Sequence, residues 1–392
     1  MISLIGSSRH LEARDPDLAF SLFPFNVEAL INKAERQFAG RASTAELDAL
    51  VRQAKRLLAF SAGDARLYSL IGEAQRRSGE SKPAFQAFER SLALSRTERL
   101  ALQRVLLQDV ENGKPADALE RVDALFRRWP EQITAYAPLV SQTFAAPGSY
   151  DLLIGRMETA PPWRTTLISR LAANPATLQF SARLVQDLAA GASQPRPGEI
   201  SNVLNGLINA GQYSLAYRTF LMTLSPKEQG VTGHVHDGRF QLVPSGRPFD
   251  WQIRNHPGVM FSSYATDAGK MDKGLTITFL QAPVRGLWVR QLLRLPAGRY
   301  SLSMRASAVE VALPKGLSWR IRCVRSNRRL VRLPATEGTY QDIDLSADLT
   351  VSPENCPLQV LELETRAIAE SWNDRYRGSI SFDDIRVVER SS

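Results

Sequence analysis

Cysteine is nearly absent from this chain of 392 residues: there are two, Cys323 and Cys356. That excludes a disulfide-dense scaffold and a thiolate metal cluster. Histidine is scarce too, with four residues, so general acid–base chemistry would fall to carboxylates such as Glu362 and Glu364. These alternate on one strand face, where a glycosidase pair could stand, though an exposed charged face is the plainer reading. The chain lacks a Gly-x-Ser-x-Gly elbow, a phosphate loop, a dinucleotide fingerprint and a His-Glu-x-x-His motif, and no enzyme activity is expected. No apolar run is long enough to span a membrane. The opening MISLIGSSRH has no basic leader, and no signal peptide is expected. Lysine is sparse: it supplies eight of the 49 basic residues. The net charge of +9 is spread evenly, with 27 basic and 23 acidic residues up to position 230 and 22 and 17 after it. Without a basic arm, nucleic acid is not an expected partner.

What the chain does have is a repeat. Residues 64–132 superpose on themselves after a shift of 34 positions. Gly79 falls on Gly113, Ala84 on Ala118, Phe88 on Val122 and Leu92 on Phe126; Tyr68 and Ile71 fall on Leu102 and Val105. A turn glycine five residues before a small residue, at this period, resembles the tetratricopeptide repeat. Each repeat is a helical hairpin that cannot bury its apolar face alone. The glycines suit a left-handed helix end, and the alanines suit close helix approach. The same offset returns at Gly211 and Ala216.

This grammar predicts an α+β multidomain chain, an all-α tetratricopeptide-like solenoid followed by an all-β jelly-roll sandwich. Residues 1–26 form a lead-in, 27–227 the solenoid, 228–234 a linker and 235–392 the sandwich. Helices are expected over 27–38, 44–61, 162–172 and 175–190, the last capped by Asn174 with Pro175 at its first position. After the linker the apolar period changes from 3.6 to 2. Leu275, Ile277 and Phe279 alternate with Thr276 and Thr278; Tyr300, Leu302 and Met304 alternate with serines and Arg305. About eleven strands in two sheets are expected between Arg239 and Glu389.

Three stretches of this region resemble the galactose-binding-like jelly roll of carbohydrate-binding modules. They are HDGRFQ followed by PFDWQI, with Trp251 as an early core residue; WVRQLLRLPAGRYSLSMRA, with a central Gln291; and the closing GSISFDDIRVV. The pairing of such helices with such a jelly roll is also similar to bacterial proteins associated with exopolysaccharide assembly. There Pro248–Trp251, Trp319–Cys323 and Cys356 before a Leu-rich strand have counterparts. That resemblance implies a disulfide between Cys323 and Cys356 and a periplasmic or cell-envelope setting. The residues alone also allow two reduced, buried thiols and, without a signal peptide, a cytoplasmic one.

Several residues are candidates for holding a ligand. Trp372, Asn373, Asp374, Arg375 and Tyr376 combine aromatic faces with hydrogen-bonding groups, which suits a sugar. Arg320, Arg322, Arg325, Arg328 and Arg329, with Arg332, form a basic patch suited to an acidic polysaccharide or to lipid headgroups. A solvated strand face is the plain reading. Asp383 and Asp384 offer oxygen ligands for a structural Ca2+, the one cofactor considered. His234, His236, Asp237 and His256 could ligate a metal, but a polar domain entry is the far plainer reading. Trp251, Trp288 and Trp319 are expected in the core. The expected function is a non-catalytic scaffold, with a protein partner in the solenoid groove and a polysaccharide on the sandwich. The alternative is a purely protein-binding scaffold with a structural sandwich, and a glycoside-active enzyme ranks behind both.

Overall fold

The computed structural model describes residues 2–263, 274–284, 286–354, 356–365 and 374–390. Fifteen α-helices precede ten strands among them. The chain divides into two compact units, Met1–Arg156 with Pro161–Leu167, and Met157–Ala160 with Ile168–Ser392. No helix of the described residues is long and apolar enough to cross a membrane.

The first unit is built from helical hairpins: α1 (Ile2–Leu11), α2 (Pro16–Leu22), α3 (Val27–Ala39), α4 (Thr44–Leu58), α5 (Ala65–Arg77), α6 (Ser81–Leu94), α7 (Arg99–Glu111), α8 (Pro115–Arg128), α9 (Ile133–Thr143) and α10 (Pro147–Glu158). From α1 to α8 each helix packs on the next, and α5 also meets α3 and α7. Gly79 and Gly113 hold φ of +85° and +65°, the left-handed turn the repeat requires. A tighter requirement sits at Gly72 in α5, where a Cβ would lie 2.7 Å from the Phe88 ring and 3.0 Å from the Ala84 carbonyl. The expected lead-in, residues 1–26, carries α1 and α2, fastened to each other and to α3. Ser8 Oγ donates to the Ala19 carbonyl at 2.7 Å, and Asn26 Nδ2 donates to Ser8 Oγ and Glu12 Oε1. From α3, Asn32 Nδ2 donates to the Glu12 carbonyl at 3.0 Å.

Glu73 is the charged centre of this unit. It is buried and takes Arg76, Arg77 and, from the next repeat, Arg104 at 2.8–2.9 Å. Burial raises its pKa, but the three guanidinium groups outweigh that and hold it at about 2.

In the second unit, α12 (Leu178–Ala190), α13 (Pro197–Asn209), α14 (Tyr213–Met222) and the short α15 (Pro226–Gln229) follow α11 (Arg164–Ala173). Helix α12 begins three residues later than expected. Asn174 Oδ1 accepts from Ala176 N, so it stabilises a turn rather than capping a helix at Pro175. Residues 228–234, expected as a linker, are tied down. Thr232 Oγ1 donates to the Glu228 carbonyl, and the Glu228 carboxylate pairs with buried Arg247. Arg247 lies 5.2 Å over the Phe220 ring, and Phe220 packs on Phe249 and His236. The last helices and the strands thus share one aromatic and ionic seam.

The strands are β1 (Gln252–Arg254), β2 (Val259–Ser263), β3 (Leu275–Pro283), β4 (Trp288–Leu293), β5 (Gly298–Ala312), β6 (Leu317–Cys323), β7 (Arg329–Pro334), β8 (Gly338–Val351), β9 (Gln359–Thr365) and β10 (Arg375–Glu389). They form two antiparallel five-stranded sheets, β1-β4-β9-β6-β7 and β2-β3-β10-β5-β8. HDGRFQ, the first stretch that resembles the jelly roll, is a turn and not a strand. Asp237 and Phe240 hold positive φ, and the Asp237 carboxylate accepts from Gln241 N and Leu242 N. Between the sheets Trp251 stacks on Phe240 at 4.6 Å and meets Trp319 at 5.8 Å, and Trp319 stands edge-on to Phe382. Gln291 reaches back to the turn: Nε2 donates to the His236 carbonyl and Oε1 accepts from His236 N, both at 2.8 Å.

Candidate functional site

The alternation that buries one face of β2, β3, β10 and β5 sends short hydroxyl side chains to the other. The register lines them up. Ser262 faces Thr276, Thr276 faces Ser381, and Ser381 faces Ser307, so one row of hydroxyls crosses four strands. It ends on β8, where Ser307 Oγ accepts from Asp342 N at 2.9 Å and lies 3.5 Å from the Asp342 carboxylate. Beside it runs a second row, Asp383, Arg305 and Asp344.

Irregularities bend the sheet around these rows. The β5–β8 register shifts between Ala306 and Ala308, and β10 shifts against β5 after Arg377 and after Asp383. Such bulges add twist and re-aim side chains. The result is an open trough of about 690 Å³, with Arg305, Ser307, Tyr340, Asp342 and Ser381 among its lining residues. Arg305 Nη2 donates to Asp383 Oδ2 at 2.8 Å. Its Nε, and Thr276 Oγ1, are buried without a hydrogen-bond partner among the described residues. Tyr340 supplies an aromatic face; its hydroxyl donates to the Thr336 carbonyl at 2.9 Å, and burial raises its pKa.

The residues singled out from sequence fare differently. Trp372 and Asn373 lie outside the described residues. Asp374 is 3.3 Å from Lys315 Nζ, and Arg375 opens β10. Tyr376 is a correction: it is fully buried, its hydroxyl donates to the Gly316 carbonyl at 3.0 Å, and burial pushes its pKa up to about 12. Strand alternation turns it into the core, beside Phe279, so it cannot serve as an exposed sugar platform. Trp288 is the converse correction, 36 % exposed rather than in the core.

The arginine patch divides. Arg320 and Arg322 both place Nε 2.6 Å from Glu362 Oε1, and Arg320 also pairs with Glu364. Arg325, Arg328 and Arg329 are exposed at and beside the β6–β7 turn. Burial raises the Glu362 pKa, but Arg322 and Arg320 outweigh it and hold the carboxyl below its usual range. That suits a structural anion and not a general acid.

Asp383 and Asp384 do not fit a Ca2+ site. Asp383 is committed to Arg305, and Asp384 lies 2.6 Å from Arg386 and 3.9 Å from Arg239. No group of three or more metal-ligating side chains occurs among the described residues. His236 is buried with Nδ1 2.9 Å from Thr232 Oγ1, and His234 stands edge-on to Tyr300. Cys323 and Cys356 are joined in a disulfide, with Cα atoms 5.1 Å apart.

The sequence reading does not identify the hydroxyl rows, because their members lie on strands distant in the chain. The available signal was their uniformity: Ser301, Ser303 and Ser307 on one strand, Ser379 and Ser381 on another.

No family model matches the chain, and no curated protein matches it at a significant level. Solved structures do. A CBM4 module is similar at 17% identity over 40% of this chain and 99% of its own, with a TM-score of 0.30. TmCBM61, in complex with β-1,4-galactotriose, is similar at 13% identity over 41% and 99%, with a TM-score of 0.27. The CBM22-1 xylan-binding domain of Paenibacillus barcinonensis Xyn10C is similar at 15% over 36% and 87%, with a TM-score of 0.24. The likeness is one of fold alone.

Proposed function

We propose that this chain is a non-catalytic glycan-binding adaptor. The trough of the second sheet takes an uncharged oligosaccharide, and the helical hairpins, which we take as tetratricopeptide-like, engage a protein. The observation that carries the glycan reading is the hydroxyl row Ser262, Thr276, Ser381 and Ser307 ending at Asp342. Sugar hydroxyls both donate and accept, and a carpet of Ser, Thr, Asp and Arg side chains meets them in either sense. Non-catalytic action is supported by Glu362 and Glu364, which are tied up in arginine pairs. The setting we propose, bacterial envelope or exopolysaccharide assembly, rests on the sequence resemblance. The bonded Cys323 and Cys356 fit an oxidising compartment.

The test is a screen of neutral oligosaccharides followed by titration calorimetry. Asp342→Ala is expected to weaken the best ligand by about tenfold or more, which is the loss of one or two good hydrogen bonds, with unfolding unchanged. If the wild type binds no glycan while a protein partner is recovered from the native host, the scaffold reading with a structural sandwich replaces this one.

A further inference from the structure

The opposite sheet carries a surface of different chemistry on its outer face. One register row crosses all five strands as Gln252, Arg290, Glu362, Arg320 and Arg332. Arg254 and Arg322 stand two residues along from Gln252 and Arg320, on the same face. Five guanidinium groups thus share this face with the carboxylates of Glu362 and Glu364. Those carboxylates are taken: Glu362 by Arg320 and Arg322, Glu364 by Arg320, with Arg332 3.7 Å away. Arg254 and Arg290 make no ion pair among the described residues, and Arg290 Nε donates to Gln252 Oε1 at 2.9 Å.

Both unpaired guanidinium groups are held on the exposed Trp288. Arg254 Cζ lies 4.4 Å and Arg290 Cζ 4.0 Å from its ring centroid. Stacking of this kind fixes the plane of a guanidinium while leaving its N–H edge free. Burial lowers the Arg290 pKa, the like charges of Arg254 and Arg322 add to that, and Glu362 works against it. An arriving anion relieves that crowding.

We infer that this face is a second binding surface, separate from the trough, for a carboxylated polysaccharide such as a polyuronate lying across the strands. A planar carboxylate matches the guanidinium edge in bidentate fashion. The charge spacing argues against nucleic acid. Strands lie about 4.8 Å apart, and in the row the cations Arg290, Arg320 and Arg332 are interrupted by Glu362 between the first two. Duplex DNA presents a charge about every 1.7 Å and would press phosphates onto that carboxylate.

The test uses the full chain and polygalacturonate, with neutral galactan and a short DNA duplex as comparison ligands, in affinity electrophoresis and calorimetry at two salt concentrations. Polygalacturonate is expected to bind, and more weakly as salt rises. The exposed Arg254→Glu change, and Arg254→Gln with Arg290→Gln, are each expected to lower that affinity by about tenfold at an unchanged melting temperature. Asp342→Ala in the trough is expected to leave it unchanged, so this inference and the proposed neutral-glycan site fail independently. Absence of polygalacturonate binding at low salt overturns the inference. So does binding that the arginine variants do not alter, or a preference for the duplex that the same variants abolish.

Discussion

At the scale of single residues, two tyrosines show what strand parity does. Tyr340 and Tyr376 are both flanked by polar residues in the sequence, yet Tyr376 fills the core and Tyr340 lines the trough. Tyr376→Phe is therefore expected to cost about 1 kcal/mol of stability, through the lost bond to the Gly316 carbonyl, and to leave glycan binding untouched; chemical unfolding and calorimetry check both. Glu73 gives a pH dependence with a definite sign. Its pKa falls from 4.5 to about 2 on folding, so its contribution is complete above about pH 4.5 and is lost as pH falls towards 2. That contribution is on the order of 3 kcal/mol. Glu73→Gln should unfold more readily at pH 7 and should flatten the acid limb of the stability curve. An acid limb identical to wild type would show that Glu73 does not govern it.

At the scale of elements, the helix pairs rest on small residues and the strands on parity. The 34-residue period was visible because Gly79 and Gly113 must adopt positive φ, a constraint local to each turn. Gly72 was not visible: its constraint comes from Phe88 on the neighbouring helix. Gly72→Ala should cost about 1–3 kcal/mol by overpacking, read as a lower urea midpoint. The disulfide spans a separation of 33 residues. Reduction, or the double change Cys323→Ser and Cys356→Ser, is expected to cost about 2–4 kcal/mol in denaturant unfolding. The alternation in β3 and β5 showed from sequence which side chains are buried. It could not show that Ser262, Thr276, Ser381 and Ser307 form one line, because each belongs to a strand distant in sequence.

At the scale of the molecule, the compact division does not fall at 228–234. The second unit runs from Ile168 through the sandwich, joined by Phe220, Phe249, His236 and the Glu228–Arg247 pair. A fragment beginning at Ile168 is therefore expected to melt cooperatively and at a higher temperature than one beginning at Val235, which would expose Phe249 and leave Arg247 without Glu228. Equal melting temperatures would show that the seam contributes nothing to the sandwich.

By itself the sequence determined the two kinds of architecture, their order, the left-handed turn glycines and the inward face of most strands. Each of these comes from local periodicity or from a single backbone requirement. Tertiary structure alone decided which surfaces could bind. Strand register assembled the hydroxyl row, paired Arg320 and Arg322 with Glu362 while leaving Arg254 and Arg290 on Trp288, and set Asp383 against Arg305. Charge neutralisation and hydroxyl alignment depend on which residues lie opposite one another across strands. That is settled only when non-adjacent strands pair, and no stretch of the chain read alone contains it.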